Sequence, residues 1–238
     1  MALFRRAIES AGDTPGGEQE RFPGFDVLGQ VDTWDAVTAG VVLDRLGFPP
    51  ALRYFTVAEQ AVGTALFDQL LAQRKPPKIP VLELVDARLA ENQTDGWRYD
   101  DMPEDGEAFR RTFAALDEDA MSAYDGRRFA GLDWGEQVDV IERMHDLGDG
   151  SWHGLTASRV WSLWIRYACA TFYSHPWAWN EIGFGGPAYP RGYRNLGLDR
   201  REPWEVPDRV HRSPTGWGDR VEQARRGHAA GRQPEPTS

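Results

Sequence analysis

The chain has 238 residues, 41% of them hydrophobic, which is enough for one domain whose core needs no covalent staple. A net charge of −10 argues against a nucleic-acid phosphate backbone as the main partner. The single cysteine, Cys169, excludes an intrachain disulfide and any zinc site needing two cysteines of this chain. No run of about 18 apolar residues is present, so no membrane-spanning helix is expected. Arg5-Arg6 is followed by polar, Gly-rich sequence rather than an apolar stretch; no cleavable export signal is read there, and a cytoplasmic location is expected. Ten tryptophans, 25 glycines and 16 prolines point to a shaped surface rather than a repeating core.

Residues 1–30 read as a loose N-terminal arm built from turn formers such as Asp13-Thr-Pro-Gly-Gly and Phe22-Pro-Gly. Phe22, Phe25, Val27 and Leu28 are its candidates for docking in extended form. Asp32 or Thr33 is then placed to cap a helix whose face is Trp34, Val37, Val41, Val42 and Leu46, stopped by Gly47 and Pro49-Pro50. Thr56-Val-Ala-Glu59 has the spacing of a capping box. It opens a helix carrying Val62, Leu66, Phe67, Leu70 and Leu71. Pro80 suits a first helical position before Val81, Leu82, Val85 and Leu89.

Residues 94–106 read as a polar loop. Phe109, Phe113, Leu116, Ala120, Met121 and Tyr124 form the next helical face. Asp133-Trp-Gly-Glu136 makes a second capping box ahead of Val138, Ile141, Met144 and Leu147, with Gly148 and Gly150 as the stop. Thr156 opens the most apolar helix, including Val160, Trp161, Trp164, Ile165, Cys169 and Phe172, read as the central one with Cys169 buried and inert. No alternating strand pattern is found. The fold expected is all-α: about six helices in an irregular bundle, within a domain over residues 31–198 that includes the long Gly/Pro/Trp-rich loop at 173–193. Residues 199–238 are expected to be an extended arm and disordered tail. Residues 83–149 carry a net charge of −12, read as solvated helix faces, with docking of a basic partner as the sharper alternative.

From Tyr173 to Gly218 periodicity vanishes, and a segment that long without pattern marks function. Its first part runs Tyr173-Ser-His175-Pro-Trp177-Ala-Trp179-Asn180-Glu181-Ile-Gly-Phe184-Gly185-Gly186-Pro187-Ala-Tyr189-Pro-Arg191-Gly-Tyr193. Stiff aromatics between prolines and glycines are the anchors of interfaces. Gly183-Phe-Gly185-Gly-Pro-Ala188 is not a dinucleotide fingerprint, because no strand precedes it; there is no P-loop and no Gly-x-Ser-x-Gly elbow. His175 with Glu181 is a candidate acid/base pair lacking a nucleophile, against a plainer role in bonding the loop backbone. His145 and His153 with Asp146 and Asp149 form a weak candidate metal site, against a plainer role for His145 at a helix C-terminus.

The 173–193 sequence resembles the signature of the gluconate 2-dehydrogenase subunit 3 family, with a weaker likeness from Tyr54-Phe-Thr-Val-Ala-Glu59 onward. The resemblance spans roughly residues 30–197. It implies a non-catalytic small subunit that binds no cofactor or metal of its own. Its partner would be a large glucose-methanol-choline-type flavoprotein that holds FAD and oxidises a sugar, sugar acid or glycoside hydroxyl. Some complexes of the family add a cytochrome subunit. On this reading Tyr173, His175, Trp177, Trp179, Asn180, Glu181, Phe184, Gly185, Gly186, Pro187, Tyr189, Arg191 and Tyr193 form or shape the partner interface. Two alternatives stay open: an enzyme using His175, Glu181 and Arg191, and a carbohydrate-binding module in which Trp177 and Trp179 stack on sugar rings.

Overall fold

The computed structural model describes Phe22 and residues 25–192; Tyr193, most of the arm before Phe25 and the expected tail from 199 lie outside them. Among the described residues seven α-helices carry the fold. They are α1 (Ala36–Asp44), α2 (Val57–Leu70), α3 (Val81–Ala90), α4 (Asp105–Ala123), α5 (Trp134–His145), α6 (Ala157–Phe172) and α7 (Pro176–Ile182). Short 3-10 helices occupy Val27–Thr33 and Phe129–Gly131. No helix among the described residues is long and apolar enough to cross a membrane.

Both capping boxes form. The Thr56 hydroxyl accepts from the Glu59 amide at 3.3 Å and the Glu59 carboxylate accepts from the Thr56 amide at 2.7 Å. Asp133 and Glu136 exchange the same pair of bonds at 2.9 Å each. These reciprocal bonds satisfy amides that a helix start leaves orphaned.

The main core lies where α2, α4 and α6 meet. Phe109 is its centre, with ring centroids 6.0 Å from Phe67, 5.7 Å from Phe113 and 5.2 Å from Tyr167, the last edge-on. All four rings are buried, each worth about 1.5–3 kcal/mol of transfer free energy. Gly63 permits the close approach of α2 to its neighbours: a Cβ there would stand 2.6 Å from Leu82 Cδ1 and 2.8 Å from Phe113 Cζ.

Several expectations are corrected. The chain before α1 is not extended: Val27–Thr33 is a 3-10 helix with Val27 fully buried. Asp35, not Asp32 or Thr33, caps α1, accepting from the Thr38 amide at 2.7 Å. Of the face assigned to α1, Val42 is buried but Val37 and Val41 are 75% and 51% exposed. This helix is apolar all round, so spacing alone does not choose its inner side. Pro80 is the N-cap of α3 rather than its first residue. Helix α6 packs on α2, α3, α4 and α5 but buries one face, leaving Trp161, Ile165 and Cys169 half-buried.

A hairpin of two-residue strands, β1 (Ser151–Trp152) and β2 (Leu155–Thr156), joins α5 to α6. Its turn residues His153 and Gly154 have φ of 47° and 75°, the two left-handed positions of a type I′ turn. Strands this short show no alternation to read. Nor does His153 join His145: its ring pairs with Asp119 at 2.8 Å and Glu118 at 3.3 Å on α4, while His145 lies against the Trp161 ring at 4.5 Å. No group of three or more His, Cys, Asp or Glu suited to a metal occurs among the described residues.

The acidic stretch is not only solvated surface. Asp86, Asp105 and Asp117 are buried acceptors. Asp117 receives the Phe129 amide at 3.0 Å and Arg128 at 2.6 Å. Asp86, fully buried on α3, accepts three consecutive backbone amides, Arg53 at 2.6 Å, Tyr54 at 2.9 Å and Phe55 at 2.7 Å. It thereby fixes the chain that leads into the α2 capping box. Asp86→Ala should orphan these amides and lower unfolding free energy by about 3 kcal/mol, read as a reduced urea midpoint at constant m-value. Asp86→Asn, which keeps an acceptor, should lose less.

Candidate partner-binding site

The segment from Tyr173 begins with a helix rather than a loop. Pro176 fixes φ at the first position of α7, and Gly183, with φ of 67°, ends it in a left-handed cap. The N-cap is His175, whose Nδ1 accepts from the Trp177 amide at 3.2 Å. Histidine is not a usual N-cap residue, and seven residues give too few turns for periodicity, which is why the sequence reads as loop.

This segment folds back onto residues 25–45. Val27, Trp34, Val42 and Trp179 form a second, smaller core. Trp179 is 5% exposed and its indole N–H donates to the Tyr173 carbonyl at 2.7 Å. Polar contacts bind the two strands of chain around it. Asn180 Oδ1 accepts from the Val27 amide at 2.8 Å, and Asn180 Nδ2 donates to Asp26 at 3.3 Å. Arg45 donates to the Ser174 carbonyl at 2.7 Å. Arg191 donates to Thr33 Oγ1 and to the Gly185 carbonyl, each at 2.7 Å. Gly186 is required twice over: its φ is 77°, and a Cβ would stand 2.4 Å from Trp34 Cζ2.

The side chains singled out in the sequence therefore divide. Trp179, His175 and Gly186 are buried; Trp177, Asn180, Glu181, Gly185, Pro187 and Arg191 are half-buried. Trp177 packs on the main core and Trp179 on the small one. The outer surface is left to Tyr173, Phe184 and Tyr189, the last 67% exposed, joined by Ile182, which the sequence reading did not single out. Phe184 leans edge-on against Trp179 at 5.5 Å, so the exposed crest is anchored by the buried indole.

The geometry does not assemble an acid/base pair. His175 is 3% exposed and its Nδ1 is occupied by the Trp177 amide. Glu181 lies near the far end of α7, and no hydrogen bond joins the two. Burial pushes the His175 pKa down to about 4; the Arg45 charge adds to this and a backbone hydrogen bond at Arg45 opposes it. A neutral, capped imidazole is a poor proton shuttle near pH 7. Glycines 183, 185 and 186 follow a helix C-terminus instead of linking a strand to a helix, so they do not fit a dinucleotide's pyrophosphate.

The depressed His175 pKa has a consequence for stability. The unfolded imidazole binds a proton near pH 6.5, the folded one near pH 4. The stabilising difference is complete above about pH 6.5 and declines as pH falls toward 4. His175→Asn, which keeps a capping acceptor, should reduce the drop in thermal midpoint between pH 7 and pH 4 relative to the parent chain. An identical pH dependence in both proteins would contradict a neutral, buried His175.

Among known proteins, the family model described as gluconate 2-dehydrogenase subunit 3 matches residues 58–186. That range runs from the first turn of α2 to the glycine packed on Trp34. No curated protein and no solved structure matches the chain. With the family model covering more than half of the sequence, helices α2 to α7 included, the chain belongs to the gluconate 2-dehydrogenase subunit 3 family.

Proposed function

We propose that the chain is a non-catalytic accessory subunit. It binds and stabilises a large FAD-dependent catalytic subunit of the glucose-methanol-choline type, which oxidises a hydroxyl of a sugar, sugar acid or glycoside. Membership of a subunit family implies a multi-subunit dehydrogenase complex. The observation that carries the docking assignment is the exposed crest of Tyr173, Ile182, Phe184 and Tyr189, held on a buried clasp. Aromatic side chains presented on a rigid base offer contact area at low entropy cost. Val37 and Val41 of α1 are also exposed, on a helix whose inner residue Val42 shares the small core with Trp179.

The FAD belongs to the partner on this reading; among the described residues the glycines 183, 185 and 186 follow a helix C-terminus rather than joining a strand to a helix. The enzyme alternative is disfavoured by the capped, neutral His175. The carbohydrate-module alternative is disfavoured at Trp177 and Trp179, whose rings are committed to the two cores.

The test is co-expression of the flavoprotein of the native host with this chain. The flavoprotein should be recovered soluble, FAD-loaded and active with the chain, and should be depleted without it. An Ile182→Ser/Tyr189→Ser double variant, at two crest positions outside the Phe184–Trp179 ring contact, should keep the thermal midpoint of the isolated chain while copurifying with the flavoprotein at least about tenfold less, the equivalent of ~1.4 kcal/mol. Equal yield, FAD content and activity with and without the chain would overturn the reading.

A further inference from the structure

Away from the clasp, a cavity of about 610 Å³ opens between the end of α3, the 92–104 loop and the first turn of α4. Among the described residues Trp97 is the one exposed tryptophan, at 51%, and it lines this cavity together with Tyr54. The loop that presents it is held firmly. Arg166 of α6 stacks over the Trp97 ring at 4.4 Å, ion-pairs with Asp95 at 2.7 Å and approaches Asp105 at 3.6 Å. Arg88 of α3 reaches the same Asp95 at 3.0 Å. Arg159 covers Tyr99 at 3.8 Å, and Tyr99 meets the Trp97 ring edge-on at 5.5 Å. Asp105 in turn accepts from the buried Tyr167 hydroxyl at 2.7 Å. Two arginines of one helix, a turn-and-turn apart, thus clamp two aromatics of a loop otherwise rich in polar residues.

The rest of the lining is polar and planar: the Asn92 amide, the Arg98 guanidinium and the carboxylates of Glu104 and Glu107. Arg98 and Glu104 face each other at 3.6 Å. A fixed, partly exposed indole beside amide, carboxylate and guanidinium groups matches a ring with an apolar C–H face and a rim of hydroxyls. The carboxylates outnumber the guanidinium in the lining, which penalises an anionic ligand by like-charge repulsion. We infer that this cavity is a binding site for a neutral saccharide ring, which stacks on Trp97 and hydrogen-bonds through its hydroxyls to Asn92, Glu104 and Glu107. The site is separate from the crest assigned to the flavoprotein and stands whether or not that assignment holds.

Binding is to be read by isothermal titration and tryptophan fluorescence of the full chain, with glucose, methyl glucoside and cellobiose as neutral probes, gluconate as the anionic probe and arginine methyl ester as the cationic one. At least one neutral probe should bind saturably and gluconate should bind at least about tenfold more weakly, a difference of ~1.4 kcal/mol. Trp97→Ala should abolish the binding. Glu107→Gln, at an exposed position, should weaken it severalfold with no change in thermal midpoint, which separates loss of the site from loss of the fold. No saturable binding of any neutral probe, or binding that survives Trp97→Ala, would overturn the assignment. Preferential binding of arginine methyl ester would overturn it in favour of a cation site.

Discussion

The burial of the Trp179 indole against Val27, Trp34 and Val42 is the contact on which the signature end of the molecule depends. It lies between two stretches of chain about 150 residues apart, so it must offset the loop-closure entropy of bringing them together. Truncating so large a buried side chain costs about 3–5 kcal/mol in well-packed cores. Around it, Asn180, Arg45 and Arg191 tie backbone groups of one stretch to side chains of the other. The exposed residues of the crest inherit their positions from this contact: Phe184 rests on the indole, and the Phe184 amide donates to the Trp179 carbonyl at 2.9 Å.

That arrangement changes the meaning of the tryptophan-rich signature. Read as sequence, Trp177 and Trp179 look like surface anchors. In the folded chain they are fasteners, and the surface is left to smaller aromatics and Ile182 beside them. The tight packing of this clasp also explains its glycines. Gly186 must come within a methyl group's distance of Trp34, and only a residue without a side chain allows that at positive φ.

Legibility followed locality. The capping boxes at Thr56 and Asp133, and the faces of α2, α4 and α5, were readable because both bonding partners or the whole apolar stripe lie within a few residues. What escaped was either too short or not local. The strands at Ser151 and Leu155 have two residues each, and α7 has seven behind a histidine cap. In helix α1 the spacing does not mark the inner face, because apolar residues occur on every side of it. In sequence Asp86 looks like one more acid on a helix surface, since its three amide donors lie more than 30 residues upstream. Trp97 drew no attention in sequence because the arginines that clamp it come from α6, far along the chain. The resemblance to the subunit family was carried by the one segment without periodicity, where identity of residues rather than spacing holds the information.

The proposed docking face is the outer side of the 173–192 segment, resting on the Trp179 clasp. Hydrogen–deuterium exchange of the chain alone and in the purified complex tests it most directly. Amides of residues 182–190 and of α1 should gain protection on assembly, while those of α2 and α4 in the main core are slow in both states. Unchanged exchange across 182–190, with new protection confined to another face, would contradict it.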